Sequence, residues 1–211
     1  MMPLILKLRR ASHKEVAKAQ DIIVEELYKE FDKAVLHGGT AIWRCYKGNR
    51  FSEDVDVYLH SSTTLINDFF EKLAKRGFVG IKKKITKRSI FSTFRLERAQ
   101  VRFEAVFKGI EGFLEEYETV DGNLITVYTL RAEDLIKEKV DAYISRYKVR
   151  DLYDIFFLLR HVKYKDSVKQ YIQRLVRSYK KPVDEQDLKV VIIEGLVPSA
   201  EKMLDYVKHW I

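Results

Sequence analysis

Two glycines and two aspartates in the first third of the chain have the residue types and the spacing to bind a phosphate and a metal ion. Gly38 and Gly39 precede Thr40, and paired glycines at a helix N-terminus let the backbone approach an anion closely. Asp54 and Asp56 lie two residues apart on a predicted strand, so both carboxylates project from one face. Carboxylate oxygens bind hard divalent cations such as Mg²⁺ or Mn²⁺. The pattern therefore indicates metal-assisted phosphoryl transfer.

A third carboxylate normally completes such a metal site, and Glu104 is the candidate. On its predicted strand, apolar residues occupy one face and leave Arg102 and Glu104 on the other. The alternative is that Glu104 pairs with Arg102 or Arg95 across a hairpin. Just before the aspartates, Arg50 and Ser52 have side chains that can contact a triphosphate.

These residues resemble the nucleotidyltransferase superfamily, which includes DNA polymerase beta and tRNA nucleotidyltransferases, and within it the AbiEii/AbiGii toxin group. Gly38-Gly39-Thr40 followed by Arg50-x-Ser52-x-Asp54-x-Asp56 is similar to the superfamily's G-G-[ST] and D-x-D pattern. Lys139 and the segment 150–154 resemble the toxin group's helical lysine and its later R-D-x-x-D segment. Glu104 departs from the family, in which the third carboxylate is more often Asp.

The resemblance implies a polymerase-beta-like α/β (α+β) domain with a mixed sheet, followed by an all-helical domain. It implies that a nucleoside monophosphate moves from an NTP to an acceptor hydroxyl, often on tRNA, and that a separate antitoxin relieves the growth arrest. Lys139 would bind the triphosphate and Asp151 would orient it. The implied metal ligands are Asp54, Asp56 and Glu104, and the implied phosphate ligands are Gly38, Gly39, Thr40, Arg50, Ser52 and Lys139.

Other interpretations of the same residues stay open. Lys139 can be a solvated helix lysine, Asp151 and Asp154 can be surface partners of neighbouring arginines, and His37 is interpreted as structural. The acceptor can be a protein hydroxyl, as in AMPylation-type nucleotidylation. The chain can also be an RNA-binding module without catalytic activity.

The positive charge is concentrated in one stretch of the chain. Lys and Arg total 39 against 31 Asp and Glu, which gives a net charge of +8. Residues 79–108 contain nine basic and two acidic side chains, a net charge of +7. Such a surface attracts nucleic acid or another polyanion. The candidate nucleic-acid contacts are Lys82, Lys83, Lys84, Lys87 and Arg88.

Composition restricts the class of protein. The 211 residues are 46% hydrophobic and 33% charged, with nine glycines and three prolines, which excludes disorder and low complexity. One cysteine, Cys45, provides neither an internal disulfide nor a thiolate metal site. The sequence shows neither a signal peptide nor a membrane span, and we expect a cytoplasmic protein.

The periodicity of apolar residues predicts two domains, 1–129 and 130–211, with the active site in the cleft between them. A helix over 12–31 would begin at Ser12, with Glu15 as its capping-box partner. After residue 129 the pattern is helical, and at least four helices are expected. The remaining predictions are a strand, a glycine turn and a helix over 34–46, strands over 54–59, 79–86, 90–96 and 101–107, a helix over 62–75, and a hairpin over 117–128.

Overall fold

The computed structural model describes residues 3–60 and 63–211 of the chain. It divides into two compact units. Unit 1 is Met1–Lys47 with Phe51–Thr129, and unit 2 is Gly48–Arg50 with Leu130–Ile211. Among the described residues, no helix combines the length and the apolar character needed to cross a membrane.

Unit 1 is built on a seven-stranded mixed sheet. Its strands are β1 (Val35–His37), β2 (Asp54–Leu59), β3 (Val79–Ile85), β4 (Ser89–Leu96), β5 (Ala99–Phe107), β6 (Phe113–Glu118) and β7 (Leu124–Thr129). Their order across the sheet is β3-β4-β5-β2-β1-β7-β6. Strand β2 runs parallel to β5, β1 runs parallel to β7, and the other neighbours are antiparallel. The predicted mixed sheet is confirmed.

The apolar core of unit 1 lies on one face of this sheet. The helices of unit 1 are α1 (Leu4–Lys7), α2 (Ala11–Glu30), α3 (Gly38–Arg44) and α4 (Thr63–Lys75). Leu27 of α2 and Phe69 of α4 belong to one buried cluster with Phe103 of β5, whose ring lies 5.2 Å from that of Phe69. Burial alternates along β2 and β5, as the period of two predicted. The polar residues of both strands therefore lie on the other face.

Two local predictions about helix starts have different outcomes. The capping box at Ser12 is wrong. Helix α2 begins at Ala11 after the extended residue Arg10, and no side chain caps it, so Ser12 already lies inside the first turn. The predicted start at Ser62 lies outside the described residues, and α4 is described from Thr63.

Strand β3 forms one edge of the sheet, and all seven of its residues are exposed. Its pairing with β4 is irregular between Gly80 and Lys82. The turn between β4 and β5 is shorter than predicted, because Ala99 and Gln100 already pair with β4. Glu97 in this turn has a positive φ of 52°.

Unit 2 is helical, as predicted after residue 129. Helix α5 (Ala132–Arg146) packs on α6 (Val149–Leu158) and α7 (Lys165–Arg177), and α6 also packs on α9 (Ala200–Lys208). The short segment 48–50 joins this unit through a bridge between Arg50 and Ile192 and a hydrogen bond from Ile193 N to Asn49 O of 2.8 Å. The helices are α5 (Ala132–Arg146), α6 (Val149–Leu158), α7 (Lys165–Arg177), α8 (Leu188–Val191) and α9 (Ala200–Lys208), with 3₁₀ turns at Leu159–His161 and Glu185–Asp187.

Candidate active site

The pairing of β2 with β5 brings the predicted carboxylates together. Asp56 lies directly opposite Glu104, and Asp54 lies opposite Arg102. Opposed residues on neighbouring strands share a face, and the strands are about 4.7–4.9 Å apart. Val55 and Phe103 point into the core, so the acids point the other way. The structure therefore places Glu104 beside the aspartate pair, on the polar face of the sheet.

The three acids interact unfavourably with one another. Partial burial raises the pKa of Glu104, and the charges of Asp56 and Asp54 raise it further, against opposing contributions from Arg102 and His37. A carboxyl group gains protons more readily where other carboxylates surround it. The polar face thus has a negative potential at this point, which a cation would relieve.

The guanidinium of Arg102 is a cation that already lies beside these acids. The Nε and Nη2 atoms of Arg102 donate to the two carboxylate oxygens of Asp54, at 2.6 Å each. This fork is the strong, planar geometry of an arginine–carboxylate pair. Arg102 therefore engages Asp54, and the predicted alternative of a hydrogen-bonded pair with Glu104 is not the arrangement seen.

The glycine turn sits against Asp56. Gly38 has a φ of +70°, and a Cβ at this position would lie 2.2 Å from Asp56 Oδ2. Helix α3 begins at Gly38, after the extended residue His37. Only glycine tolerates both the positive φ and the close approach. The backbone of the predicted phosphate turn, Gly38-Gly39-Thr40, is thus held next to a predicted metal ligand.

Thr40 connects this turn to the start of β2. Its side chain is fully buried, and its hydroxyl donates to the Asp54 carbonyl oxygen. Gln20 of α2 supports the same segment, because its Nε2 donates to the Ser52 carbonyl oxygen at 2.9 Å. The side chain of Thr40 therefore positions Asp54, and a phosphate contact from Thr40 would come from its backbone N–H.

A second cluster lies in unit 2 and contains the other predicted residues. Arg50 donates from Nε and Nη2 to the two oxygens of Asp154, at 2.8 Å each. Lys139 Nζ lies 2.8 Å from Asp154 Oδ2 and 3.7 Å from Asp151 Oδ1. Arg146 holds Asp151 with hydrogen bonds of 2.7 and 2.8 Å.

The two carboxylates of this cluster are buried, and each is paired with basic side chains. Asp151 and Asp154 are almost fully buried, and the Lys139 side chain is 10% exposed. Burial alone would raise the pKa of Asp154, but Arg50 and Lys139 outweigh it and lower that pKa. The interpretation of Lys139 as a solvated lysine is wrong. The interpretation of Asp151 and Asp154 as surface partners of neighbouring arginines is also wrong, because both are buried. Asp151 does pair with Arg146, whereas Asp154 pairs with Arg50 and Lys139.

A family model decides what kind of protein has these features. The model described as "Nucleotidyl transferase AbiEii toxin, Type IV TA system" matches residues 22–202, which is most of the chain. The chain belongs to the AbiEii family. It is therefore a nucleotidyltransferase, and the resemblance predicted from the sequence motifs is confirmed. The type IV toxin–antitoxin family implies a nucleotide substrate and an antitoxin partner.

Two solved structures share the fold of this AbiEii-family chain. JHP933 from Helicobacter pylori matches with a TM-score of 0.67 and 20% identity, over 95% of this chain and 90% of that one. MenT4, a nucleotidyltransferase toxin from Mycobacterium tuberculosis, matches with a TM-score of 0.66 and 18% identity, over 95% and 89%. These matches confirm the polymerase-beta-like fold. A search of curated protein sequences found no match.

The donor chemistry of the AbiEii-family site fits a hard divalent cation, because carboxylate oxygens of mutually repelling acids share one face. Within residues 3–60 and 63–211, no three His, Cys, Asp or Glu side chains are grouped as a metal site. Arg102 donates to both carboxylate oxygens of Asp54 and thereby occupies the atoms that would bind the metal. The ligand types fit the metal, and one ligand is held by an internal cation.

His37 lies opposite Asp56 at the AbiEii-family site and stacks on Tyr58, with ring centroids 4.0 Å apart, which fits its interpretation as structural. Gln20, at the same site, was missed from the sequence. Gln20 is buried and lies 34 residues before Asp54, so nothing in the local sequence indicated it. Among the described residues, no hydrogen-bond donor contacts its Oε1.

Proposed function

We propose that this AbiEii-family enzyme transfers a nucleoside monophosphate from an NTP to an acceptor hydroxyl on tRNA, with Mg²⁺ as the metal. The bond between the α- and β-phosphates breaks, and pyrophosphate leaves. The observation that carries the proposal is the placement of Asp56 between Gly38 and Glu104. A phosphate-binding turn, an aspartate and a third acid are thereby side by side on one sheet face. Nucleotidyl transfer needs such an arrangement, because catalysis rests on positioning and on neutralising charge.

The acids would hold the metal, and the turn would hold the nucleotide. Asp54, Asp56 and Glu104 supply the ligands for Mg²⁺, which when bound would neutralise phosphate charge. The backbone N–H groups of the Gly38–Thr40 turn bind phosphate oxygens. Glu104 can instead serve as the base that accepts the proton of the attacking hydroxyl.

Arg50 and Lys139 are the proposed cationic ligands of the triphosphate. Asp154 fixes both side chains, and an ammonium group has three donors, so its hydrogen bond to Asp154 leaves others for phosphate. The resemblance of Lys139 and of the segment 150–154 to the toxin group's helical lysine and R-D-x-x-D segment supports this role. Asp151 accepts both hydrogen bonds from Arg146.

Labelled-nucleotide transfer tests the proposal. The purified chain is incubated with Mg²⁺, each α-labelled NTP in turn, and total cellular RNA and protein. The Asp54→Asn/Asp56→Asn variant serves as the control, with its fold checked by circular dichroism. We expect a labelled tRNA-sized band with the parent chain alone. Label on protein would instead establish the nucleotidylation alternative, and label in neither pool would refute the transfer proposed.

A further inference from the structure

The polar face of the sheet extends beyond the carboxylates to the β3 edge. Residues that pair across β3, β4, β5 and β2 share a face, and the register of these strands places the paired residues in two rows. The rows end at the two aspartates and begin at two lysines. They are Lys82–Thr93–Arg102–Asp54 and Lys84–Phe91–Glu104–Asp56. We call these eight residues the row surface.

Phe91 is the aromatic residue of the row surface. Phe91 is 39% exposed, whereas Phe94, three residues later and on the core face, is 5% exposed. Phe91 lies opposite Lys84 on one side and opposite Glu104 on the other. An exposed ring on a sheet, next to a cation, is a platform on which an unpaired base can stack.

Charge changes sign across the row surface. Lys82 and Lys84 lie at the outer edge, and Asp54 and Asp56 lie three strands further in. At a strand spacing of about 4.8 Å, the two ends are about 14 Å apart. Phosphates are attracted to the lysine end and repelled from the carboxylate end. A polyanion bound there would present an uncharged group, such as a terminal hydroxyl, to the acids.

Lys83 belongs to the basic stretch but lies on the opposite face of the sheet from the row surface. It pairs with Ser92, which is buried, and its Nζ lies 4.4 Å from the ring centroid of Phe70 of α4. Lys83 is therefore on the core face, although it stands between Lys82 and Lys84 in the sequence. The chain provides a control lysine of equal charge within the same strand.

We propose that the row surface binds the single-stranded end of the RNA acceptor, with Phe91 stacked on a base and Lys82 and Lys84 paired with phosphates. This proposal rests on the proposed transfer to RNA. It assigns Phe91 a role, and it divides the predicted basic contacts into those on the row surface and those, such as Lys83, that are not. A single strand fits, because its bases are free to stack, whereas in a duplex they are paired.

Binding of a fluorescein-labelled single-stranded RNA, followed by anisotropy with the full chain, tests the proposal apart from catalysis. Phe91→Ala should weaken binding by about 5- to 100-fold, and Phe91→Tyr should restore it. Lys84→Gln should lower the slope of log K against log salt by about 0.7, as expected for one lost phosphate contact. Lys83→Gln should leave this slope unchanged.

The outcomes separate this proposal from the proposed transfer reaction. Equal affinities for the parent chain and for Phe91→Ala, or equal salt slopes for Lys84→Gln and Lys83→Gln, would overturn the row surface as an RNA site. Absence of RNA binding by the parent would overturn it as well, whichever pool carries the label. If binding follows the predicted pattern and the parent transfers no label, the row surface stands and the reaction is the part that fails.

Discussion

Arg102 donates two hydrogen bonds of 2.6 Å to the carboxylate of Asp54, on the face of the sheet that also carries Asp56 and Glu104. A predicted metal ligand is thus neutralised by a side chain of the next strand. A divalent cation that binds Asp54 must compete with this guanidinium for the same two oxygens.

Removing Arg102 should therefore strengthen metal binding. The pair is partly exposed, with Arg102 44% exposed, and such pairs contribute about 0.2–1 kcal/mol. Arg102→Ala should lower the Kd for Mn²⁺ in the free protein by about 1.4- to fivefold. Titration followed by Mn²⁺ electron paramagnetic resonance measures it. Arg95→Ala, on the neighbouring strand, is the control, and a similar change in both variants would contradict the competition.

Position 38 should tolerate no residue other than glycine. Gly38→Ala places a Cβ against Asp56 at a φ of +70°, so we expect a loss of about 1–3 kcal/mol in the free energy of unfolding and loss of transfer. Urea denaturation gives the first quantity. In Gly80→Ala the new Cβ meets no atom within 4 Å, and this variant should unfold as the parent does. Full activity in Gly38→Ala would show that the turn can move away from Asp56.

The Thr40 hydroxyl should matter for position, since it reaches the Asp54 carbonyl and not the solvent. Thr40→Val keeps the shape and removes the donor, which should cost about 1–2 kcal/mol of stability and reduce kcat more than it raises KM. Thr40→Ser keeps the hydroxyl and should recover the rate. If Thr40→Val and Thr40→Ser have the same kcat, the Thr40 hydrogen bond has no part in positioning Asp54.

Asp154 should be the most sensitive acid of unit 2. Asp154→Asn removes the closest counter-charge of the buried Arg50 and Lys139, and we expect a loss of about 3–5 kcal/mol in the free energy of unfolding. Asp141→Asn, which removes an exposed partner of Arg174, should cost under about 1 kcal/mol. Chemical denaturation of the two variants makes the comparison, and equal losses would contradict the compensating role of Asp154.

Asp154 should also make the free energy of unfolding depend on pH. The folded-state pKa of Asp154 lies below its ordinary value of 3.8, so the stability it contributes is complete above that value. It is lost as the pH falls through the lowered folded-state pKa. Unfolding free energies measured from pH 6 down to pH 2 should fall more steeply for the parent than for Asp154→Asn.

Local patterns predicted the strands and the face of Glu104, because a period of two depends only on neighbouring residues. They failed at Ser12, where a capping signal was present but the helix had already begun one residue earlier. The fork from Arg50 to Asp154 joins residues 104 positions apart, and the fork from Arg102 to Asp54 depends on which strands become neighbours. Tertiary pairings of this kind cannot be predicted from the residues that are next to either partner in the sequence.

The exposed edge strand β3 has a consequence for assembly. An edge strand presents unpaired N–H and C=O groups to which a strand from another molecule can add, and its defences are charge and irregular pairing. Strand β3 has both, in three consecutive lysines and in the shift between Gly80 and Lys82. Two copies meeting edge to edge would oppose like charges directly. The lysines that we assign to RNA thus also keep the chain from propagating its sheet into an aggregate.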